Sequence, residues 1–443
     1  MKLKKDSFYK LSYYFIWTMY VLLFYRNFFE LTFLPDLNRK EVFIPLLTTL
    51  LIFLFFKKQI FSLNILIFQY LFLIALQLFI VYKININDVS IFLQAPDTET
   101  YFNLYSFFFG CDENSLYACK ESYTINHRLP TLPIIIGFLD FFININYVPS
   151  VFSFLVSLLW LFLPLVIFKT NKIYKTSIAL SLIPLFPLIT AYGYLLLTDA
   201  IFSILFWFWY FKFLKSSNPN KYKSIYFVFL CIAISFLRPE GLIFLAIAMI
   251  LHVNGKNIKI YFLTLLGILI LLNIWNGNSE LEKAESKIYI VNVVPKTLQV
   301  EEKISFSEAR KISSQLFEER NYDFTTILFE NYPVSLKQIL SSQAYWLNRN
   351  TSFSWIKQYE NLPNTFIYFH YLLFKPLFII GWISLLLSKD REDFKIGIII
   401  LIWISFVALA GPVDIPRFNL FINLPLIYGL TKLFVLLQER IKN

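Results

Sequence analysis

Residues 222–275 read YKSIYFVFLCIAISFLRPEGLIFLAIAMILHVNGKNIKIYFLTLLGILILLNIW. Three apolar runs, 222–237, 241–253 and 258–275, are cut only by Arg238-Pro239-Glu240 and by Asn254-Gly255-Lys256-Asn257. Runs of this length, with charge confined to the junctions, are helices sized for a bilayer. The junctions differ in kind. Lys256 and Lys259 mark a cytoplasmic turn, because lysine and arginine accumulate on that side, and Arg238 and Glu240 therefore face outward.

The rest of the chain repeats the pattern. Of 443 residues, 57% are hydrophobic, 16% are charged and 11 are Gly, and the mean hydropathy is +0.60. Soluble chains carry about 25% charged residues and about 7% Gly, so an ordinary soluble domain is excluded. The 51 Phe and 27 Tyr carry no functional weight, since an AT-rich coding bias gives the same excess. The net charge of +11 sits in islands between apolar runs, at Lys2, Lys4, Lys5 and Lys10, at Lys57 and Lys58, at Lys169, Lys172 and Lys175, at Lys212, Lys215, Lys221 and Lys223, and at Lys256 and Lys259. That distribution argues for loop topology and against nucleic-acid binding.

Apolar runs at 8–25, 42–56, 60–82, 147–168, 176–195, 199–214, 222–237, 241–253, 258–275, 366–388, 395–411 and 418–437 predict an all-α polytopic membrane protein of about twelve spans. With the basic islands inside, both termini are cytoplasmic, and 26–41, 83–146, 196–198, 238–240, 276–365 and 412–417 lie outside. The N-terminus has a basic start and an apolar stretch but no small-residue cleavage site after Tyr25, and reads as an uncleaved span. Thr131 to Phe142 is too short to cross and lies in the outer interface. The expected organisation is a two-helix segment over 1–58, a membrane core over 59–275 with a first outer loop at 83–146, an outer helical insertion over 276–365 and C-terminal spans over 366–443. Within the insertion, SFSEARKISSQLFEERNYDF (305–324) and NYPVSLKQILSSQAYWL (331–347) have apolar residues at helical spacing, with Ser305 or Ser307 as cap of the first. Pro184 and Pro187 predict a kinked helix.

Cys111 and Cys119 lie close together in the outer loop, where an oxidising compartment permits a disulfide, and Cys231 falls inside a span. His127, His252 and His370 are isolated, without zinc spacing. Dinucleotide-binding, P-loop and nucleophile-elbow motifs are absent.

Several ionisable residues abut the spans, all on the outer side: Asp97 and Glu99, His127 and Arg128, Asp199, Arg238 and Glu240, and Asp414 and Arg417. Charge at the edge of hydrocarbon is costly, so such groups pair or line a polar cavity; the competing reading of each is a helix-end side chain reaching into water. Carboxylates act as general bases on a hydroxyl or amine, and arginine forks bind phosphate. A lipid-linked phosphosugar suits both, with its tail in the bilayer, its phosphate beside arginine and its sugar outside.

These residues sit in motifs that resemble the GT-C glycosyltransferase superfamily. APDTETYFNLYSFFFG (95–110) and NHRLPTLPIIIGFLDFF (126–142) resemble its first extracytoplasmic loop, with an acid ahead of an interfacial helix. YGYLLLTDAIFSILFWFWYF (192–211) resembles its second acidic motif. FLRPEGLIFLAIAMIL (236–251) is similar to the Arg-Pro-Glu-Gly turn of the protein O-mannosyltransferase and aminoarabinose-transferase branch. GPVDIPRFNLFINLPLIYGL (411–430) resembles the segment opening a late helix, with Phe418 where that branch has Tyr.

The resemblance implies a transferase that moves a sugar from a polyprenyl-phosphate donor to a lipid, glycan or protein acceptor. Asp97 would be the catalytic acid on the acceptor and Asp199 the second acid near the donor. Arg128, Arg238 and Arg417 would bind the phosphate, with His127 and Glu240 supporting. Glu99 reads as a solvated carboxylate in preference to a metal ligand shared with Asp97, and Lys375 either reaches a phosphate or extends to water. The chain lacks a dense carboxylate cluster, so an essential divalent cation is not expected. A bacterial inner membrane is the expected location. Two other readings stand beside this one: a polysaccharide polymerase or O-antigen-type ligase, in which Asp97 is dispensable, and a lipid-linked sugar transporter or flippase, against which the one-sided charges speak.

Overall fold

The computed structural model describes residues 67–75, 78, 96–110, 129–170, 198–215, 221–254, 257–275, 295, 304–319, 379–410 and 415–442. Among these the chain is all-α and contains no strand. The helices are α1 (Pro96–Phe109), α2 (Thr131–Asp140), α3 (Val148–Thr170), α4 (Thr198–Trp209), α5 (Lys221–Ser235), α6 (Pro239–Leu251), α7 (Ile258–Trp275), α8 (Phe306–Glu319), α9 (Arg391–Ala410) and α10 (Ile415–Lys442). Two helical segments, 67–75 and 379–386, accompany them.

By length and composition, two of the described helices can cross a membrane, Ile145–Ile167 and Ile258–Trp275. They differ in what covers them. Only 11% of Ile258–Trp275 is buried against the protein, and Phe262, Leu263, Leu266, Leu269, Ile270 and Ile274 point away from it. An exposed apolar surface this continuous marks a face for contact with lipid, a partner or another part of the chain. The other apolar helices are shorter, at Thr131–Asp140, Ile225–Ser235, Glu240–Leu251 and Leu420–Leu433.

Helix α4 is the hub, packed against α3, α5 and α10, while α6 joins α5 to α7 and α9. Where these helices meet, the core is aromatic: Phe202, Phe206 and Trp207 of α4, Phe244 of α6, Trp403 of α9 and Phe421 of α10 are all buried. Trp403 and Phe421 stack at 4.1 Å between centroids, and Phe206 and Phe244 each approach this pair to 4.8 Å. Pro425 lies inside α10 and has no N–H to give the carbonyl four residues before it, that of Phe421. Trp207 Nε1 supplies that bond at 2.5 Å, and Ser203 Oγ donates to the neighbouring carbonyl of Leu420 at 3.0 Å. A defect in one helix thus docks another. Below the hub α4 widens into a π-turn over Tyr210–Leu214.

Two close backbone approaches need glycine. A Cβ on Gly241 would lie 2.4 Å from the carbonyl oxygen of Ile234, and one on Gly429 would lie 2.4 Å from that of Gly381. The first sets how tightly α6 turns back on α5; the second lets segment 379–386 cross α10, where Ser384 Oγ donates to the Gly429 carbonyl at 3.1 Å.

Among the described residues three expected runs match helices closely: 147–168 becomes Val148–Thr170, 222–237 becomes Lys221–Ser235, and 258–275 becomes Ile258–Trp275. Thr131 to Phe142 forms the ten-residue α2, with Leu132, Pro133, Ile136 and Gly137 buried and Ile134, Phe138, Phe141 and Phe142 exposed. Ser305 caps α8, accepting from the Glu308 N–H at 3.2 Å. The runs at 8–25, 42–56 and 176–195, the Pro184 and Pro187 kink, and the second amphipathic stretch at 331–347 lie outside the described residues.

Candidate functional site

Proline decides the local geometry of the Arg238 turn. The residue before a proline is driven into extended backbone, and Arg238 has φ −147° and ψ 142°, with Pro239 opening α6. This points α6 back along α5 and leaves Arg238 beside the N-terminus of α4, where Asp199 stands in the first turn. The guanidinium engages two carboxylates. Its Nη1 bonds Asp199 Oδ1, while Nε and Nη2 fork onto Glu240 at 3.1 and 3.0 Å. Both acids occupy first turns of helices, where the unpaired N–H groups favour negative charge. Burial alone would raise the Glu240 carboxyl, but the Arg238 guanidinium outweighs it and holds Glu240 below its ordinary range. The Arg238 Cζ lies 6.0 Å from the centroid of Phe202, so the ionic group rests on the aromatic core.

Around this group the helix ends are tied in a closed circuit. Tyr101 of α1 contacts Thr198 Oγ1, next to Asp199, at 3.3 Å. Tyr105, one turn on, donates to Asp140 Oδ2 at the end of α2 at 2.6 Å. The start of α2 returns to the Arg238 turn, Thr131 donating from its N–H to the Phe236 carbonyl at 3.3 Å and from Oγ1 to that of Ala233 at 3.5 Å. Asp97 falls in the first turn of α1, four residues before Tyr101.

A second polar cluster lies at the far end of α4 and α6. Buried Asp393 accepts from Lys215 Nζ at 3.0 Å, Tyr428 Oη at 3.0 Å, Ser388 Oγ at 3.1 Å and Lys432. Beside it, His252 at the end of α6 contacts Glu392 at 2.7 Å and Tyr210 at 3.4 Å. This end carries Lys215, Lys395 and Lys432, with Lys221 and Lys259 at the starts of α5 and α7.

Of the residues expected from sequence, Asp199, Arg238 and Glu240 come together. Asp97, Glu99 and Arg417 have helical backbone in α1 and α10, with side chains outside the description; His127, Arg128, Lys375, Asp414, Cys111 and Cys119 lie outside the described residues. Free, buried Cys231 sits in α5, as its apolar surroundings predict. Sequence reading assigned no role to Tyr101, Tyr105, Thr198 or Asp140, although Tyr101 and Tyr105 at i and i+4 mark one face of a helix. Among the described residues no three His, Cys, Asp or Glu side chains converge on a metal position.

The arrangement suits an acid–base site. Two carboxylates share one guanidinium in a largely buried setting, fixed to helix ends near the start of a third helix that bears another acid. No protein-family model matches the chain, and no curated protein matches it significantly.

Proposed function

We propose that the chain is a polytopic membrane glycosyltransferase of GT-C type, with about twelve spans, both termini cytoplasmic and the site outside, probed best as a bacterial inner-membrane enzyme. It moves a sugar from a polyprenyl-phosphate donor to a lipid, glycan or protein acceptor. Asp97 takes the acceptor proton. Asp199 and Glu240, held by Arg238, face the donor sugar, and Arg128 and Arg417 contact the donor phosphate, since Arg238 is committed to two carboxylates.

The observation that carries this reading is the meeting of Asp199, Arg238 and Glu240 at the helix ends opposite the lysine-rich end, beside the helix whose first turn holds Asp97. Uncovered α7 and the outward aromatic face of α2 support a lipid environment. A general base within reach of a hydroxyl lowers the barrier to glycosyl transfer, and a buried arginine keeps neighbouring acids ionised.

The test is lipid and glycan profiling of membranes from cells with and without the protein, repeated with Asp97→Asn. Accumulation of a polyprenyl phosphosugar with loss of one glycosylated product, reproduced by the variant, is the expected result. Product loss without the protein but not with Asp97→Asn turns the reading toward an arginine-centred polymerase or ligase; an unchanged profile turns it toward transport.

A further inference from the structure

The circuit of tethers around Arg238 includes a carboxylate that stands outside the ionic group, Asp140. It is the last residue of α2, on the border between a buried apolar face and the exposed Phe141 and Phe142. A lone carboxylate at such a border ordinarily turns to water. Asp140 instead accepts the Tyr105 hydroxyl at 2.6 Å, in the range of a charge-assisted O–H···O⁻ bond. The phenol is held from both sides: Phe109 stacks on it at 5.5 Å and Phe102 meets it edge-on at 6.4 Å. Gly137 allows the approach, because a Cβ there would fall 2.3 Å from the Phe109 ring.

The consequence runs along α1. Tyr101 and Tyr105 pin this helix at two successive turns, to α4 and to α2, and Asp97 lies one turn further toward the N-terminus. With both pins closed, α1 can neither rotate nor slide without breaking a buried or half-buried hydrogen bond. We propose that the Tyr105–Asp140 pair is a positioning device that fixes the register of α1, and with it the reach of the Asp97 carboxylate to an acceptor hydroxyl. This rests on the glycosyltransferase reading above. Asp140 acts through Tyr105 and α1, so its loss should slow the chemical step without weakening the donor; small misplacements of a reacting group cost rate steeply.

The experiment uses full-length protein in proteoliposomes. The donor probe is isotope-labelled lipid extract from cells lacking the protein, titrated over wild type, Asp97→Asn, Tyr105→Phe, Asp140→Asn and the Tyr105→Phe/Asp140→Asn pair. Tyr105→Phe keeps the ring and its stacking, so it remains informative if Asp140→Asn fails to accumulate. The expected result is a roughly tenfold fall in kcat for each single variant with KM for the extract within about twofold, and a double variant no slower than the slower single. Unchanged kcat in Tyr105→Phe, a rise in KM alone, or additive losses in the double variant would overturn the positioning role. If Asp97→Asn loses transfer while Tyr105→Phe and Asp140→Asn keep it, the pair's role falls and the enzyme reading stands. If Asp97→Asn transfers at the wild-type rate, both fall.

Discussion

Trp207 donates its indole N–H to the carbonyl of Phe421, the carbonyl that Pro425 leaves without a helical donor. The proline therefore creates an acceptor deep in the bundle, and the hub helix fills it. Replacing Trp207 with Phe keeps most of the ring volume but strands that acceptor, at a cost of about 1–3 kcal/mol. A lowered melting temperature in detergent checks this, with Ser203→Ala, at the adjacent Leu420 carbonyl, as the milder companion. Pro425→Ala should partly rescue Trp207→Phe, because alanine restores the helical donor.

How much of this was legible beforehand depends on distance along the chain. The boundaries of α3 to α7 follow from apolar run length and from breakers such as Arg238-Pro239, which act locally. The outward set Asp199, Arg238 and Glu240 was legible because each sits at the end of a run. The Lys215–Asp393 and His252–Glu392 pairs were not: their partners lie 178 and 140 positions apart, and nothing local marks either as more than a surface charge. His252 looked isolated for the same reason. Asp140 carried no signal inside the Thr131 to Phe142 stretch, since only the fold brings Tyr105 to it.

Arg238 answers two acids at once, so removing it takes the guanidinium from both buried Asp199 and half-buried Glu240. Arg238→Ala should cost about 3–5 kcal/mol, the range for breaking a buried ion pair from one side. Arg238→Lys should recover little, because an ammonium cannot reproduce the fork. In a double-mutant cycle Asp199→Asn should be far less damaging in the Arg238→Ala background than alone; equal damage in both backgrounds would falsify the coupling.

The glycine contacts give a paired comparison. Gly241→Ala and Gly429→Ala each force a Cβ to within 2.4 Å of a backbone carbonyl oxygen and should destabilise by about 1–3 kcal/mol. Gly267→Ala meets nothing within 4 Å and should be neutral or gain up to about 1 kcal/mol from helix propensity. Thermal unfolding of the three variants side by side decides it, and comparable losses at all three would mean that the close approaches do not matter.

Glu392 makes the lysine-rich end acid-sensitive. Burial alone would raise its carboxyl, but hydrogen bonds with His252 and Lys395 outweigh that and bring it from 4.5 to about 2. A depressed carboxylate stabilises the fold fully above its ordinary value and loses that contribution as pH falls from 4.5 toward 2. The melting temperature should therefore decline through this window, and Glu392→Gln should start lower at neutral pH and decline less. A wild-type curve parallel to that of Glu392→Gln across the window would refute the assignment.

The aromatic block between the two polar ends is also an electrical insulator. Asp199 and Lys215 bracket α4, and sixteen residues of helix separate them by about 24 Å. Across that gap two unit charges interact by less than about 1 kcal/mol at an effective dielectric of about 20. The ends therefore behave as independent thermodynamic compartments joined by stiff packing. Charge changes at Asp393 or Glu392 should alter how firmly the helices hold together while leaving the proton affinities around Arg238 where they were.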